Sequence, residues 1–544
     1  MKKSNASKII LIGFYILFTL LTGGLFILSI ARPQNYLSTV RMGIQTVIFA
    51  VLFLGVFYLW KRFANPTLSS LKVFIPVLAA YWIFLYLVCV LHGNSYHVVG
   101  DYEILYMSAL ELADGKELSF AHYFMTYGNN TGPMILLAFL FRISHMVGLN
   151  EFYPALFFTS AAVIGSIWAV GELLTGDETP FGNGDLVKNF RIPVLLFTAV
   201  CLPLYVFTGA FYTDTFSFGL GVIAVALLKI GLSKKKAAWV LVPAGLITVL
   251  GAVWKVTALI FLIAVGITWV LYALSKNDRE EKKTVTDNKS ANEEGLESKN
   301  HHKFSWKRAL IYAASVLVFA IIIKVSFQAV GIYRDSKQYA NPTSAWLALG
   351  MRGNGSYSEN VEFSDAVNEL STKEEKSVYI NAYMKEHASE AFSISHLLSK
   401  AQNNFAGGTF TASDFTTNPS GHSILWNLMD PGGRFYYGCC GISFSYVVMV
   451  YLLCCIGGIC ALIRLVKGLK EDDDSKTGLP FYKIAADISF FGLFLFLMIW
   501  ESNNRQLYNQ LPVMILALFG SADLFFDTFP GKSGIHSKSE NVKK

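Results

Sequence analysis

Five short polar clusters interrupt a chain that otherwise avoids charge. The first is His97-Val98-Val99-Gly100-Asp101-Tyr102-Glu103, followed by Tyr106, Ala109 and Leu112 at helical spacing. Asp101 falls at the expected N-cap of that helix and Glu103 in its first turn. Capping is a routine job for Asp. The functional alternative is a carboxylate held at a membrane surface as a base. The second cluster, Tyr127-Gly128-Asn129-Asn130-Thr131-Gly132-Pro133, reads as a turn, and Asn129-Asn130-Thr131 also matches a glycosylation sequon. The third is Tyr212-Thr213-Asp214, and the fourth is Trp254-Lys255, a lone cation between two short apolar runs. The fifth is Trp500-Glu501-Ser502-Asn503-Asn504-Arg505, with Tyr508 shortly after it. Interfacial anchoring accounts for each cluster taken singly. Their common side raises the functional reading: several carboxylates and two cations converge at one membrane face, where an ionisable group is expensive without a task or a partner.

The elements that must hold these clusters are apolar helices. Of 544 residues, 53% are hydrophobic and only 15% are charged, against about 25% charged in soluble proteins. That balance excludes a water-soluble enzyme, a disordered chain and a secreted disulfide scaffold. The expected fold is an all-α polytopic membrane protein. A span needs about 20 apolar residues, and candidate runs lie at 9–31, 41–60, 73–91, 131–149, 152–174, 192–211, 215–233, 238–252, 256–275, 309–329, 441–466, 484–500 and 506–526. The first run is too long for a signal-peptide core and has no small-residue cleavage site, so it reads as an uncleaved span. The seven cysteines show no metal-ligand spacing and read as small buried residues, although a strained Cys439–Cys440 bridge is conceivable.

The net charge of +7 reflects orientation rather than nucleic-acid binding. Lys2, Lys3 and Lys8, Lys61-Arg62, Lys234 to Lys236, the segment 276–308, Arg464 to Lys470 and Lys538 to Lys544 all belong inside a plasma membrane. Both termini are then cytoplasmic, and the loop 92–130, the turn at Lys255, the region 330–440 and the turn 501–505 face outside. Asp101 and Asp214 must share that outer side, yet three apolar runs separate them. One of 131–149, 152–174 and 192–211 therefore fails to span, leaving 12 of about 12–13 helices.

Composition divides the chain further. A membrane module covers 1–329, with a disordered cytoplasmic loop at 276–308 whose His301-His302 pair is a poor metal site. A small extracytoplasmic subdomain follows at 330–440, with a helix expected at 364–388. Membrane helices resume over 441–530, and 531–544 is a basic tail.

The order of the clusters resembles the GT-C superfamily of polyprenyl-phosphate-sugar-dependent glycosyltransferases. It is most similar to the protein O-mannosyltransferase group, glycosyltransferase family 39, and to the lipid A aminoarabinose transferases. The resemblance runs from Asp101 to Lys116, through Tyr127 to Pro133, Tyr212-Thr213-Asp214 and Lys255, to Glu501 and Arg505. Weaker echoes of a Gram-positive bacterial branch lie at 347–357 and 405–410. Two departures are visible: Tyr102 separates acidic residues that stand side by side in family members, and Lys255 is followed by Val256-Thr257 instead of Pro-Thr.

The resemblance implies transfer of a sugar from a polyprenyl-phosphate donor to a cell-envelope glycan, lipid or protein by direct inverting displacement. A sugar phosphate already has a good leaving group, so one base suffices, unlike glycoside hydrolysis with its two carboxylates. Asp101 aligns with the family's catalytic Asp, with Glu103 tuning it or positioning the acceptor. Arg505 and Lys255 would bind the donor phosphate. Tyr127, Asn129, Asn130, Asp214, Glu501 and Tyr508 are the remaining substrate-binding candidates. No cofactor is obligatory, and a divalent cation between Asp101 and Asp214 is conceivable. The competing classes are a polysaccharide polymerase or ligase, which would favour Arg-rich outer loops, and a lipid-linked sugar transporter, which would favour internal repeats.

Overall fold

A computed structural model describes residues 3–33, 38–64, 70–93, 100–175, 190–233, 237–287, 305–330, 338–416, 423–471 and 479–529. These residues are predominantly helical, without a strand. The chain begins with α1 (Lys3–Ala31), α2 (Thr39–Phe63) and α3 (Leu71–His92). It continues with α4 (Asp101–Ala113), α5 (Ala121–Thr126), α6 (Thr131–Met146) and α7 (Phe152–Leu173). Next come α8 (Arg191–Ala199), α9 (Leu202–Thr208), α10 (Thr213–Phe216), α11 (Leu220–Leu232), α12 (Leu241–Trp254), α13 (Ile260–Asp287) and α14 (Trp306–Ala329). Short helices then run from Ser344 to Met429, and three long ones close the chain at Tyr436–Glu471, Phe481–Ile499 and Leu511–Thr528.

Among the described residues, ten helices are long and apolar enough to cross a membrane. The pair α8–α9, bent by 79° at Val200-Cys201, brings the count to eleven if it is one broken span, and Ala238–Trp254 is a shorter apolar helix, so the structure gives fewer spans than the 12 expected. Pro203 in the first turn of α9 suits the break, because proline has no N–H to continue a helix. Lys61 pairs with Asp523 and Asp527, and Arg464 with Asp527, at one end of the bundle, where Arg191 and Lys229 also meet Glu172. Asp101, Lys255 and Arg505 lie at the other end.

Of the three runs in doubt, 152–174 forms a helix long enough to cross, 192–211 is the bent pair, and 131–149 forms α6, which is not among the ten. Helices α4 and α6 start together at the cavity end, and their far ends stay together, with His145 Nδ1 3.3 Å from Asp114 Oδ1. The Tyr106 hydroxyl donates to Glu151 Oε1 at 3.1 Å, which ties the start of α7 to α4. The 16 residues of α6 read as a span because they bury an apolar face, here against α4.

Other expectations need correction. The helix expected at 364–388 is two helices, Val361–Glu369 and Lys373–Glu386, because Thr372 and Glu375 form a capping box that starts the second afresh. The loop 276–308 is helical as far as Asp287, its Lys and Glu being good helix formers. Residues 288–304, the segment His97-Val98-Val99, Lys234 to Lys236 and the basic tail lie outside the described residues. All seven cysteines are free thiols. Lys483 and Asp487 form an ion pair buried within the helix Phe481–Ile499, and the Tyr15 hydroxyl donates to Asp487 Oδ2 at 3.1 Å. Mutual pairing offsets the cost of burial there.

The short helices from Ser344 to Glu386 form a small subdomain with its own core of Ala345, Ala348, Leu349, Phe363, Val367 and Ile380, whereas Phe405, Phe410, Phe415, Leu425 and Met429 that follow pack into the core of the bundle. The subdomain sits over the cavity end of the bundle, with Asn341 N donating to Thr126 O at 3.1 Å and Ser502 N to Gly355 O at 2.7 Å.

Candidate active site

Local backbone chemistry places each charged group. Gly100, at φ 92°, occupies the N-cap of α4, so Asp101 is the first helical residue and not the cap that its sequence position suggests. Its carboxylate is used otherwise: the Tyr212 hydroxyl donates to Asp101 Oδ2 at 2.9 Å. Tyr212 is extended, and the following turn, Thr213–Phe216, carries Asp214. Gly219, at φ 62°, then lets the chain enter α11, and a Cβ there would lie 2.0 Å from Ser166 Oγ. Lys255 is the extended residue at which α12 stops, and its ammonium pairs with the buried Asp214 carboxylate.

The fifth cluster is a turn clamped by the subdomain and by the helix Ile394–Phe405 that follows it. Asn503 N donates to Asn404 Oδ1 at 3.0 Å, and Asn503 Oδ1 accepts from Arg505 N at 3.0 Å. The Arg505 guanidinium lies over the rings of Tyr212 and Phe415, at 5.4 and 5.7 Å from their centroids. Such stacking suits a planar, weakly hydrated cation. On the other flank, Gly350 admits the Trp500 carbonyl and Lys400 Nζ so closely that a Cβ would lie 2.5 and 2.6 Å from them.

These pieces enclose one cavity of about 1050 Å³. Asp101, Tyr127, Asn129, Asn130, Asp214, Lys255, Glu501 and Arg505 all line it. Asn130 is further fixed by donating to the Tyr123 hydroxyl at 2.5 Å. Two expected residues do not join them. Glu103, exposed on α4, does not line the cavity. Tyr508 is fully buried beneath the site, its ring 4.2 Å from Phe207 and 4.7 Å from Phe218. Apolar attraction among those rings outweighs any pull toward the cavity.

The electrostatics are strongly coupled. Burial pushes the Glu501 carboxyl up from its ordinary range; Arg505 and Lys255 oppose that, while Asp101 and Asp214 reinforce it. Burial likewise raises Asp414, with Arg505 opposing. Burial works against the charge on Arg505, but Asp214, Tyr212, Asp101 and Asp414 more than reverse this, so its pKa rises. Burial and the adjacent Asp101 carboxylate push the Tyr212 phenol far up, so it stays a hydroxyl donor. Asp214 is engaged with Lys255, and among the described residues no three His, Cys, Asp or Glu side chains form a metal-ligand group.

Sequence reasoning missed several liners. Tyr212 was visible only as part of the Tyr212-Thr213-Asp214 cluster, with no sign that its hydroxyl serves Asp101. Asp414 and Phe415, which face Arg505, and Asn341, Trp346 and Tyr357 come from residues 338–416, whose placement no local pattern announces. No family model matches the chain, and neither does any curated protein or solved structure.

Proposed function

We propose that this chain is an integral membrane glycosyltransferase that moves a sugar from a polyprenyl-phosphate donor to a hydroxyl of a cell-envelope acceptor, at the outer face of the plasma membrane. One observation carries the reading: a hydroxyl-oriented carboxylate, Asp101, lines the same cavity as the cations Lys255 and Arg505. The resemblance to GT-C enzymes supplies the reaction class. The basic residues gathered at the opposite end of the bundle support the outward direction of the cavity.

In the proposed reaction the acceptor oxygen forms a bond to the anomeric carbon while its proton passes to Asp101. The bond from that carbon to the phosphate oxygen breaks on the opposite face, and its electron pair leaves with the polyprenyl phosphate. Configuration at the anomeric carbon inverts. The negative charge that grows on the phosphate is met by Arg505, whose fork of donors fits phosphate oxygens, and by Lys255. Asp214 holds Lys255 in place. Val253, Trp254, Val256 and Phe496 give the cavity an apolar margin for the first isoprene units. A base of this kind contributes about 10²–10⁴-fold in rate.

The test is to incubate the purified protein in liposomes with a panel of polyprenyl-phosphate sugars and follow release of polyprenyl phosphate. Wild type consumes at least one donor, and Asp101→Asn, expressed and folded normally, loses activity by about 10²-fold or more. A near-normal Asp101→Asn enzyme removes Asp101 from the role. A wild type inert toward every donor overturns the transferase reading.

A further inference from the structure

The cavity is chemically two-sided. Its ionisable Asp, Glu, Lys and Arg liners are Asp101, Asp214, Lys255, Asp414, Glu501 and Arg505, and none comes from residues 341–367. That stretch of the subdomain instead lines the cavity with Asn341, Thr343, Trp346, Tyr357 and Ser364, together with apolar residues. At about 1050 Å³, the space reaches the top of the range of about 300–1,000 Å³ usual for small-molecule pockets. It therefore has room for an acceptor beside the donor sugar and phosphate.

We infer that the subdomain wall is an acceptor subsite for a neutral saccharide. The inference rests on the transferase reading above and narrows its acceptor class. Aromatic faces and fixed amides are what a neutral sugar ring needs: its C–H face packs on an indole while its hydroxyls find donors and acceptors. The Trp346 and Trp500 indoles lie nearly parallel, 5° apart with centroids 6.2 Å distant. Trp500 precedes Glu501 directly, so this aromatic patch adjoins the charged floor. Asn341 is held for recognition, its Oδ1 accepting from Lys376 Nζ at 2.9 Å.

Other acceptors fit this wall poorly. A phosphorylated or carboxylated acceptor needs a cation, and residues 341–367 place none in the cavity. A peptide acceptor is best read through backbone hydrogen bonds along an open edge. Here Trp346 and Ser364 project from the helices Ser344–Leu349 and Val361–Glu369, which use their backbone groups internally.

The experiment uses full-length protein in liposomes with a donor that wild type consumes. Acceptor-dependent turnover is compared for neutral gluco- and manno-oligosaccharides, a Ser/Thr-rich peptide and poly(glycerol phosphate). A neutral oligosaccharide is expected to raise donor consumption above hydrolysis by water. Trp346→Ala should raise the KM for that saccharide about tenfold while the donor KM moves far less, and Trp346→Phe should restore most of the loss. Tyr357 is 46% exposed, so Tyr357→Ala offers a second variant with little risk to folding and the same expected split. Donor consumption that responds only to the peptide or the poly(glycerol phosphate) overturns the subsite but leaves the transferase reading standing. So does a response to no acceptor at all, or an unchanged saccharide KM in both alanine variants. Failure of every donor in wild type would instead remove the transferase reading itself.

Discussion

The Tyr212 hydroxyl donates to Asp101 Oδ2 at 2.9 Å, while the face of the same ring lies 5.4 Å from the Arg505 guanidinium. One side chain thus orients the proposed base with its edge and supports the proposed phosphate ligand with its face. Tyr212→Phe separates these jobs, because the ring stays and only the hydroxyl is lost. A hydrogen bond to a charged group is worth about 1.5–3 kcal/mol, so kcat is expected to fall about 10- to 100-fold with little change in donor KM. Steady-state kinetics on the two variables decide it. An unchanged kcat would mean that Asp101 owes nothing to Tyr212.

The Lys255–Asp214 pair answers to a different rule. Asp214 is buried and Lys255 is nearly so, with side-chain exposures of 3% and 17%. Removing one partner leaves the other charge buried alone, at a cost of about 3–5 kcal/mol. Lys255→Met should therefore destabilise the protein by that order, and Lys255→Met combined with Asp214→Asn should recover most of the stability. Activity is expected to stay lost in both, because the cation is absent from each. Thermal unfolding of the two variants beside wild type tests the first part, and donor turnover tests the second. Equal stability of the single and double variants would show that the pair is not coupled.

How much of this was legible in the sequence follows from chain geometry. Asp101, Asp214, Lys255, Glu501 and Arg505 betrayed themselves because polar groups are rare in this chain and each sits where an apolar run ends. Glu103 misled for an equally plain reason. Two residues along a helix turn a side chain by roughly 200°, so an acid beside Asp101 in sequence faces away from it in space. Tyr508 follows Arg505 by three residues in a turn that dives back into the bundle, where Phe207 and Phe218 hold its ring. The length of α6 was indistinguishable from a short span, since apolarity records burial and not what a helix is buried in. Trp346 and Asp414 were out of reach altogether, because only tertiary packing of residues 338–416 brings them to the cavity.

Lys400 gives a prediction with a definite sign. It is fully buried, its Nζ donates to Gly350 O at 2.6 Å, and burial lowers its pKa from 10.5 to about 8, with Glu501 opposing. Below about pH 8 the ammonium is charged in both folded and unfolded chains, and the fold carries the full penalty. Between about pH 8 and 10.5 the unfolded chain still binds a proton that the folded chain has released, so stability rises with pH across that window. Lys400→Met removes the group and with it this contribution. The stability of wild type minus that of the variant is expected to climb by on the order of 2 kcal/mol from pH 8 to pH 10. Taking the difference cancels the titrations common to both proteins. Thermal or denaturant unfolding of the full-length protein in detergent reads it directly, and a difference that stays flat or falls with pH would show that Lys400 is not the penalised cation its burial implies.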